Sequence, residues 1–108
     1  MQHRNLLFVC SQNRLRSPTA EQVFSQYPGV EALSAGTNND AETPLDGEMI
    51  GWADIIFVME KTHLNKVRKR FKHLLVSKRL ICLDIPDDYD FMDPMLVRLL
   101  EAKVPRYL

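Results

Sequence analysis

Four short apolar runs constrain this chain more than any other feature. They are residues 5–10 (Asn-Leu-Leu-Phe-Val-Cys), 30–34, 54–59 (Asp-Ile-Ile-Phe-Val-Met) and 79–84 (Arg-Leu-Ile-Cys-Leu-Asp). The first is continuously apolar, the pattern of a strand covered on both faces of a parallel sheet. The intervening stretches carry apolar residues at helical spacing: Ala20, Val23, Phe24 and Tyr27 in 18–27, Leu64, Val67 and Phe71 in 61–71, and Leu96, Leu99 and Leu100 in 95–103. Residues 45–52 read as a shorter helix weakened by Gly47 and Gly51. Ser17-Pro18, Thr43-Pro44 and Asp93-Pro94 each read as an N-cap followed by proline at the first helical position. Pro28-Gly29 breaks the first helix, residues 35–40 read as a turn-rich loop, and residues 74–76 are expected to pack behind the third helix. Strand and helix thus alternate throughout. That implies right-handed βαβ units and an α/β fold: residues 1–108 as a single three-layer domain, with a four-stranded parallel sheet flanked by helices. In such a sheet ligands sit at the carboxyl ends of the strands, where Cys10 and the acidic loop after the fourth run both fall.

The composition narrows the function classes. Formal net charge is zero, so bulk electrostatics name no partner and no nucleic acid is expected. No apolar stretch is long enough to span a bilayer, and no cleavable leader is apparent, so no membrane partner is expected. Two cysteines do not make a disulfide framework, and no paired CxxC spacing suggests a metal. The expectation is a cytoplasmic protein with reduced thiols and neither metal nor other cofactor. Charge is nonetheless uneven. Lys61, Lys66, Arg68, Lys69, Arg70, Lys72, Lys78 and Arg79 cluster together, and Asp84, Asp87, Asp88, Asp90 and Asp93 follow. The basic run reads as a solvated helix face, or else as a means of attracting an acidic macromolecular substrate.

The loop leaving the first run carries the chemistry. Cys10 ends the run, Arg16 follows within the loop, and Ser17-Pro18 opens the helix. The free N–H groups and positive dipole end of a helix N-terminus favour an anion, and the same field favours the nucleophilic thiolate form of Cys10. An arginine at that helix end is unfavourable by itself, so its presence argues for an anionic ligand. Its planar fork suits two phosphoryl oxygens. Asn13 tolerates left-handed backbone and would hold the loop in shape. Ser17 is read as the helix N-cap, and Arg14, from the same loop, is a further candidate for substrate contact.

Cys10-Ser11-Gln12-Asn13-Arg14-Leu15-Arg16-Ser17 fits C-x5-R-S, and Pro18-Thr19-Ala20-Glu21 follows. With the preceding strand, this resembles the low-molecular-weight protein tyrosine phosphatase family. Ser34-Ala35-Gly36-Thr37 resembles its S-A-G-T, Ala53-Asp54-Ile55-Ile56-Phe57-Val58-Met59-Glu60 its third-strand motif, and Asp84-Ile85-Pro86-Asp87-Asp88-Tyr89 its acid loop, all in the family's order. The resemblance implies the phosphotyrosine protein phosphatase I-like fold and a cysteine-dependent, metal-independent phosphomonoester hydrolase that works through a phosphocysteine. It implies Cys10 as nucleophile, Arg16 as phosphate clamp and transition-state stabiliser, and Asp87 as general acid, with Asp84 and Asp88 as rivals for that last role. Ser11, Gln12, Asn13, Arg14, Leu15 and Ser17 would bind the phosphoryl group, Ser17 also giving a hydrogen bond to the Cys10 sulfur. The substrate would be a phosphorylated protein or a small phosphomonoester.

The chain departs from the family in places. It is shorter between Thr37 and Ala53, has Asn38-Asn39-Asp40 where an aromatic residue often follows S-A-G-T, and carries Leu15 where many members have a second cysteine. Gln12 replaces a common glycine, and Asp88 replaces the proline after the acid. Three alternatives stay open: a non-hydrolytic phosphate-binding or regulatory module, a phosphoserine phosphatase, and an arsenate reductase on the same fold. Of the other reactive residues, Cys82 reads as a buried, inert strand residue, and His63 and His73 as solvated members of the basic region. Trp52 and Met59 read as core, and Tyr89 as either lining the pocket beside Asp87 or packing on its loop.

Overall fold

A computed structural model describes residues 3–108. The strands are β1 (Arg4–Cys10), β2 (Val30–Gly36), β3 (Ile55–Val58) and β4 (Arg79–Cys82). The helices are α1 (Arg16–Phe24), α2 (Gly47–Trp52), α3 (Lys61–Phe71) and α4 (Pro94–Lys103). All strand pairs are parallel, in the order β2-β1-β3-β4. The expected α/β architecture is therefore the observed one. The order reverses direction between β1 and β3, and such a switch point leaves a crevice at the carboxyl ends of the strands.

Both sheet faces are covered, which is why the strands are apolar without alternation. On one face Leu6, Phe8, Ile55 and Phe57 meet Ala20 and Phe24 of α1 and Leu96 and Leu100 of α4. Phe8 stacks between Phe24 and Phe57, with ring centroids 5.6 and 5.2 Å away. On the other face Leu7, Val9, Ile56 and Val58 meet Ile50 of α2 and Val67 of α3. Met59 is fully buried, whereas Trp52 is only partly so.

Several expected boundaries shift, each for a local reason. α1 begins at Arg16 with Leu15 at the cap position, so Ser17 is not the N-cap. Its hydroxyl turns inward to the Cys10 sulfur instead. Asp46, not Thr43, caps α2 by accepting from the Met49 N–H, while Pro44 bridges to Gly36. β2 runs on through Ala35-Gly36, because Cys10 pairs with Gly36. α1 stops at Phe24, three residues before Tyr27, and β3 and β4 are shorter than their apolar runs. Leu75 packs on the core and Leu74 lies against α2 beside Gly47, whereas Val76 is 90% exposed. Asp93 caps α4 as expected, accepting from the Met95 N–H.

Candidate active site

The loop after β1 closes over the carboxyl edge of the sheet at the switch point. Cys10, Ser11, Gln12, Arg14, Leu15 and Arg16 line a pocket of about 180 Å³, and Asp87 reaches it from the loop after β4. Of the residues singled out in the sequence, Cys10, Arg16 and Asp87 thus meet around one cavity. Asn13 and Ser17 lie beneath it and hold its shape.

The loop owes its form to a buried polar framework. Asn13 adopts a left-handed backbone, with φ 58°, as expected of asparagine. Its side-chain amide donates to the Ser17 hydroxyl at 2.9 Å. The Ser17 Oγ also lies 2.9 Å from the Cys10 Sγ and 3.4 Å from the Ala35 carbonyl, so that when Cys10 is a thiolate the Ser17 hydroxyl can donate to it. The residues after β2 buttress the loop from the other side. Thr37 and Asn38 N–H groups donate to the Cys10 and Ser11 carbonyls at 2.9 and 3.1 Å. This close approach explains the glycine of Ser34-Ala35-Gly36-Thr37. A Cβ on Gly36 would lie 2.5 Å from both the Ser11 carbonyl oxygen and the Ala41 methyl.

Arg16 is the most tightly held group in the site, its side chain only 4% exposed. Nη1 donates to Glu60 Oε2 at 2.6 Å and to the Ile85 carbonyl at 2.7 Å. These bonds occupy the Nη1 corner. The Nε side faces Asp87, whose Oδ1 lies 3.6 Å away. That leaves the Nε–Nη2 edge of the fork for two oxygens of an anion.

Two partners were not anticipated. Glu60 anchors Arg16 and caps α3, and His63, expected in solvent, is 1% exposed. The Glu60 N–H donates to His63 Nδ1 at 3.1 Å, so the ring proton sits on Nε2 and donates to the Ser11 hydroxyl at 2.9 Å. The neutral ring is favoured. His63 is lowered from 6.5 to about 4, chiefly by burial and then by the Arg16 and Lys66 charges, against the opposing pull of Glu60 and Asp87. The available signal was Met59-Glu60-x-x-His63 directly after β3, the strand beside β1, at the edge where the site must lie.

The rival carboxylates face elsewhere. Asp84 takes a left-handed φ of 54° and accepts from the Cys82 thiol at 3.4 Å, and Asp88 is exposed outside the pocket lining. Cys82 itself is partly covered rather than buried, and desolvation pushes its thiol pKa up. Arg14 lines the pocket and pairs with Glu42 at 3.6 Å. Tyr89 packs against the core rather than lining the pocket. Among the described residues, no group of three or more His, Cys, Asp or Glu is placed to hold a metal ion. No described helix is long and apolar enough to cross a membrane.

Comparisons with known proteins bear on this geometry. A family model described as low molecular weight phosphotyrosine protein phosphatase matches residues 5–53, which include the whole of the loop 10–17. No curated protein matches the chain in sequence. Solved structures share the fold. The arginine phosphatase YwlE from Geobacillus stearothermophilus superposes with a TM-score of 0.77 at 23% identity, covering 96% of this chain and 92% of its own. The tyrosine phosphatase Wzb from Escherichia coli, solved with phosphate, gives 0.77 at 20% identity over 98% and 96%. A low molecular weight protein tyrosine phosphatase from Streptococcus pyogenes gives 0.78 at 13% identity over 97% and 93%. The chain thus matches the low molecular weight phosphotyrosine protein phosphatase model over its first half and shares the fold of these structures over nearly its whole length.

Proposed function

We propose that this chain is a cysteine-dependent phosphomonoesterase acting on phosphotyrosine. The observation that carries the reading is that Cys10, Arg16 and Asp87 line one small pocket, with the Ser17 hydroxyl 2.9 Å from the cysteine sulfur. The Cys10 thiolate attacks phosphorus, an S–P bond forms, and the bond to the leaving oxygen breaks. Asp87, as the acid, protonates that oxygen. The resulting carboxylate then takes a proton from water, whose oxygen attacks phosphorus. The S–P bond breaks, and inorganic phosphate and thiolate are regenerated. Loop N–H groups and the Nε–Nη2 edge of Arg16 carry the charge that develops on the phosphoryl oxygens. Ser11, Gln12, Asn13, Arg14, Leu15 and Ser17 shape or contact this phosphate cradle. Asp87 is favoured over Asp84 and Asp88 because it alone of the three lines the pocket.

Solved relatives of this fold include both tyrosine and arginine phosphatases. Arg14 at the pocket and the cations of nearby α3 oppose a cationic guanidino leaving group, which favours the neutral tyrosyl ester. Arsenate reduction is disfavoured. β3 lies between β1 and β4, so Cys82 stands about 10 Å, two strand spacings, from Cys10, beyond disulfide reach. Catalysis needs Cys10 as a free thiol, in keeping with a reducing, cytoplasmic setting.

The test is hydrolysis of p-nitrophenyl phosphate without added metal. Cys10→Ser should abolish turnover, and Asp87→Asn should lower kcat by about 10²-fold, the scale of a lost general acid. Activity that survives Cys10→Ser overturns the mechanism. A wild type that binds phosphate but never turns over supports the binding module instead. A larger loss for Asp84→Asn or Asp88→Asn reassigns the acid.

A further inference from the structure

A second cavity, of about 520 Å³, adjoins the phosphate loop and has no part in the chemistry above. It is lined by Thr37, Asn38, Asn39, Lys66, Lys69 and Arg70. Its wall is shared with the loop: the Thr37 and Asn38 N–H groups donate to the Cys10 and Ser11 carbonyls at 2.9 and 3.1 Å. Lys66 follows His63 by three residues on α3, hence about one helical turn. His63 in turn bonds the Ser11 hydroxyl at 2.9 Å. The lining holds three cations, two amides and a hydroxyl, and no carboxylate. None of the ion pairs among the described residues uses Lys66, Lys69 or Arg70. Arg70 is fixed in place, donating to the Thr37 carbonyl at 2.9 Å and lying 5.0 Å over the Phe71 ring. The buried Thr37 hydroxyl has no hydrogen-bond partner among the described residues.

An uncompensated positive cavity lined by hydrogen-bond donors suits an anionic group, and its position beside the loop puts that group on the substrate. We propose that this cavity is a second anion subsite that selects phosphopeptides bearing an acidic side chain beside the phosphorylated residue. The proposal rests on the reading that the Cys10 pocket takes the phosphoryl group. A carboxylate from the peptide enters between Lys66 and Lys69, with Arg70 and the Asn38 and Asn39 amides behind them. The substrate is thereby held at two points, the phosphoryl group on the loop and the carboxylate on α3. Because the lysines are exposed, the attraction is screened by salt.

The experiment compares two synthetic phosphotyrosine peptides that differ only in flanking residues, Glu in one and Gln in the other. It uses wild-type protein and the double variant Lys66→Gln/Lys69→Gln. The readouts are kcat/KM for each peptide and, with Cys10→Ser protein, the Kd for each. In the wild type the Glu peptide should be preferred by about three- to tenfold at low salt, as expected of two solvent-exposed ion pairs. The ratio should fall towards unity in the double variant and in high salt. Turnover of both peptides with equal kcat/KM overturns the subsite while leaving the phosphatase reading intact. So does a Glu preference that survives in the double variant. If no phosphopeptide is turned over but the Cys10→Ser protein prefers the Glu peptide, and the added lysine substitutions remove that preference, the subsite stands and the hydrolytic reading fails. Equal Kd values for the two peptides in that same case overturn the subsite as well.

Discussion

His63 offers the sharpest test of how the loop is supported, because its burial makes a pH-dependent claim. The ring is neutral in the folded protein, with its pKa lowered from 6.5 to about 4 by burial first and by the Arg16 and Lys66 charges next. The sign follows directly. Between these values the unfolded chain binds a proton that the folded chain refuses. The stability owed to the neutral ring is therefore complete above pH 6.5 and is lost progressively as pH falls to about 4. Undiscounted, the shift is worth about 3 kcal/mol. Relaxation of the polar groups around the buried ring offsets part of this, so about 1–2 kcal/mol is the expected size. The assay is urea unfolding of wild type and His63→Gln from pH 7 to 4.5. Every other ionisable group is common to the two proteins, so the comparison isolates the ring at position 63. The stability advantage of wild type over His63→Gln should shrink by that amount across the range. Parallel stability curves would refute the buried neutral ring. A second readout is independent of stability: His63→Ala removes the Nε2–H bond to the Ser11 hydroxyl, worth about 1 kcal/mol, so kcat/KM for p-nitrophenyl phosphate should fall by about fivefold.

Three further predictions follow from the same framework. Ser17→Ala removes the proton directed at the Cys10 sulfur and strands the Asn13 amide, so kcat should drop by about 10- to 100-fold with a stability loss of about 1–3 kcal/mol, checked by steady-state kinetics and urea unfolding. An unchanged kcat would remove Ser17 from the chemistry. Arg16→Lys cannot serve Glu60, the Ile85 carbonyl and two phosphoryl oxygens at once, so vanadate affinity should weaken by at least about 10²-fold, read by inhibition of turnover. Gly36→Ala sets a methyl against the Ser11 carbonyl and the Ala41 side chain, and backbone cannot yield as a flexible side chain would. It should cost about 1–3 kcal/mol in thermal or urea unfolding and lower activity through the displaced loop, whereas exposed Gly51→Ala, with open space around it, should do neither.

Much of the fold was legible because its signals are local. An apolar run without alternation marks a strand covered on both faces. Three to four apolar residues at helical spacing mark a helix that covers it. The loop motif was legible for the same reason, since Cys10, Asn13, Arg16 and Ser17 are separated by few residues. Asp87 could be narrowed to an acidic loop but not chosen within it, because Asp84, Asp87 and Asp88 are chemically alike and differ in direction. In the structure Asp84 sits in a left-handed turn, and Asp87 is the one of the three that lines the pocket. Ser17 shows the opposite failure. Its local N-cap signal was strong, yet a buried bond to Cys10 and Asn13 outcompeted the cap. Thr43 likewise lost the α2 cap to Asp46 once Pro44 was drawn to Gly36.

The sequence by itself determined the order of strands and helices, the parallel sheet, and a cysteine and arginine at one helix start, since each depends on neighbours along the chain. Only the tertiary structure decided what holds that pair in working order. Glu60 and His63 lie far from the loop in sequence, and they reach it because β3 pairs with β1 and delivers the start of α3 to the same edge. The basic run of α3 was likewise ambiguous as a string of charges. Its packing against the turn after β2 gathers Lys66, Lys69 and Arg70 around a cavity beside the Cys10 loop. Long-range pairing makes both arrangements, and composition and periodicity carry no record of which distant side chains that pairing brings together.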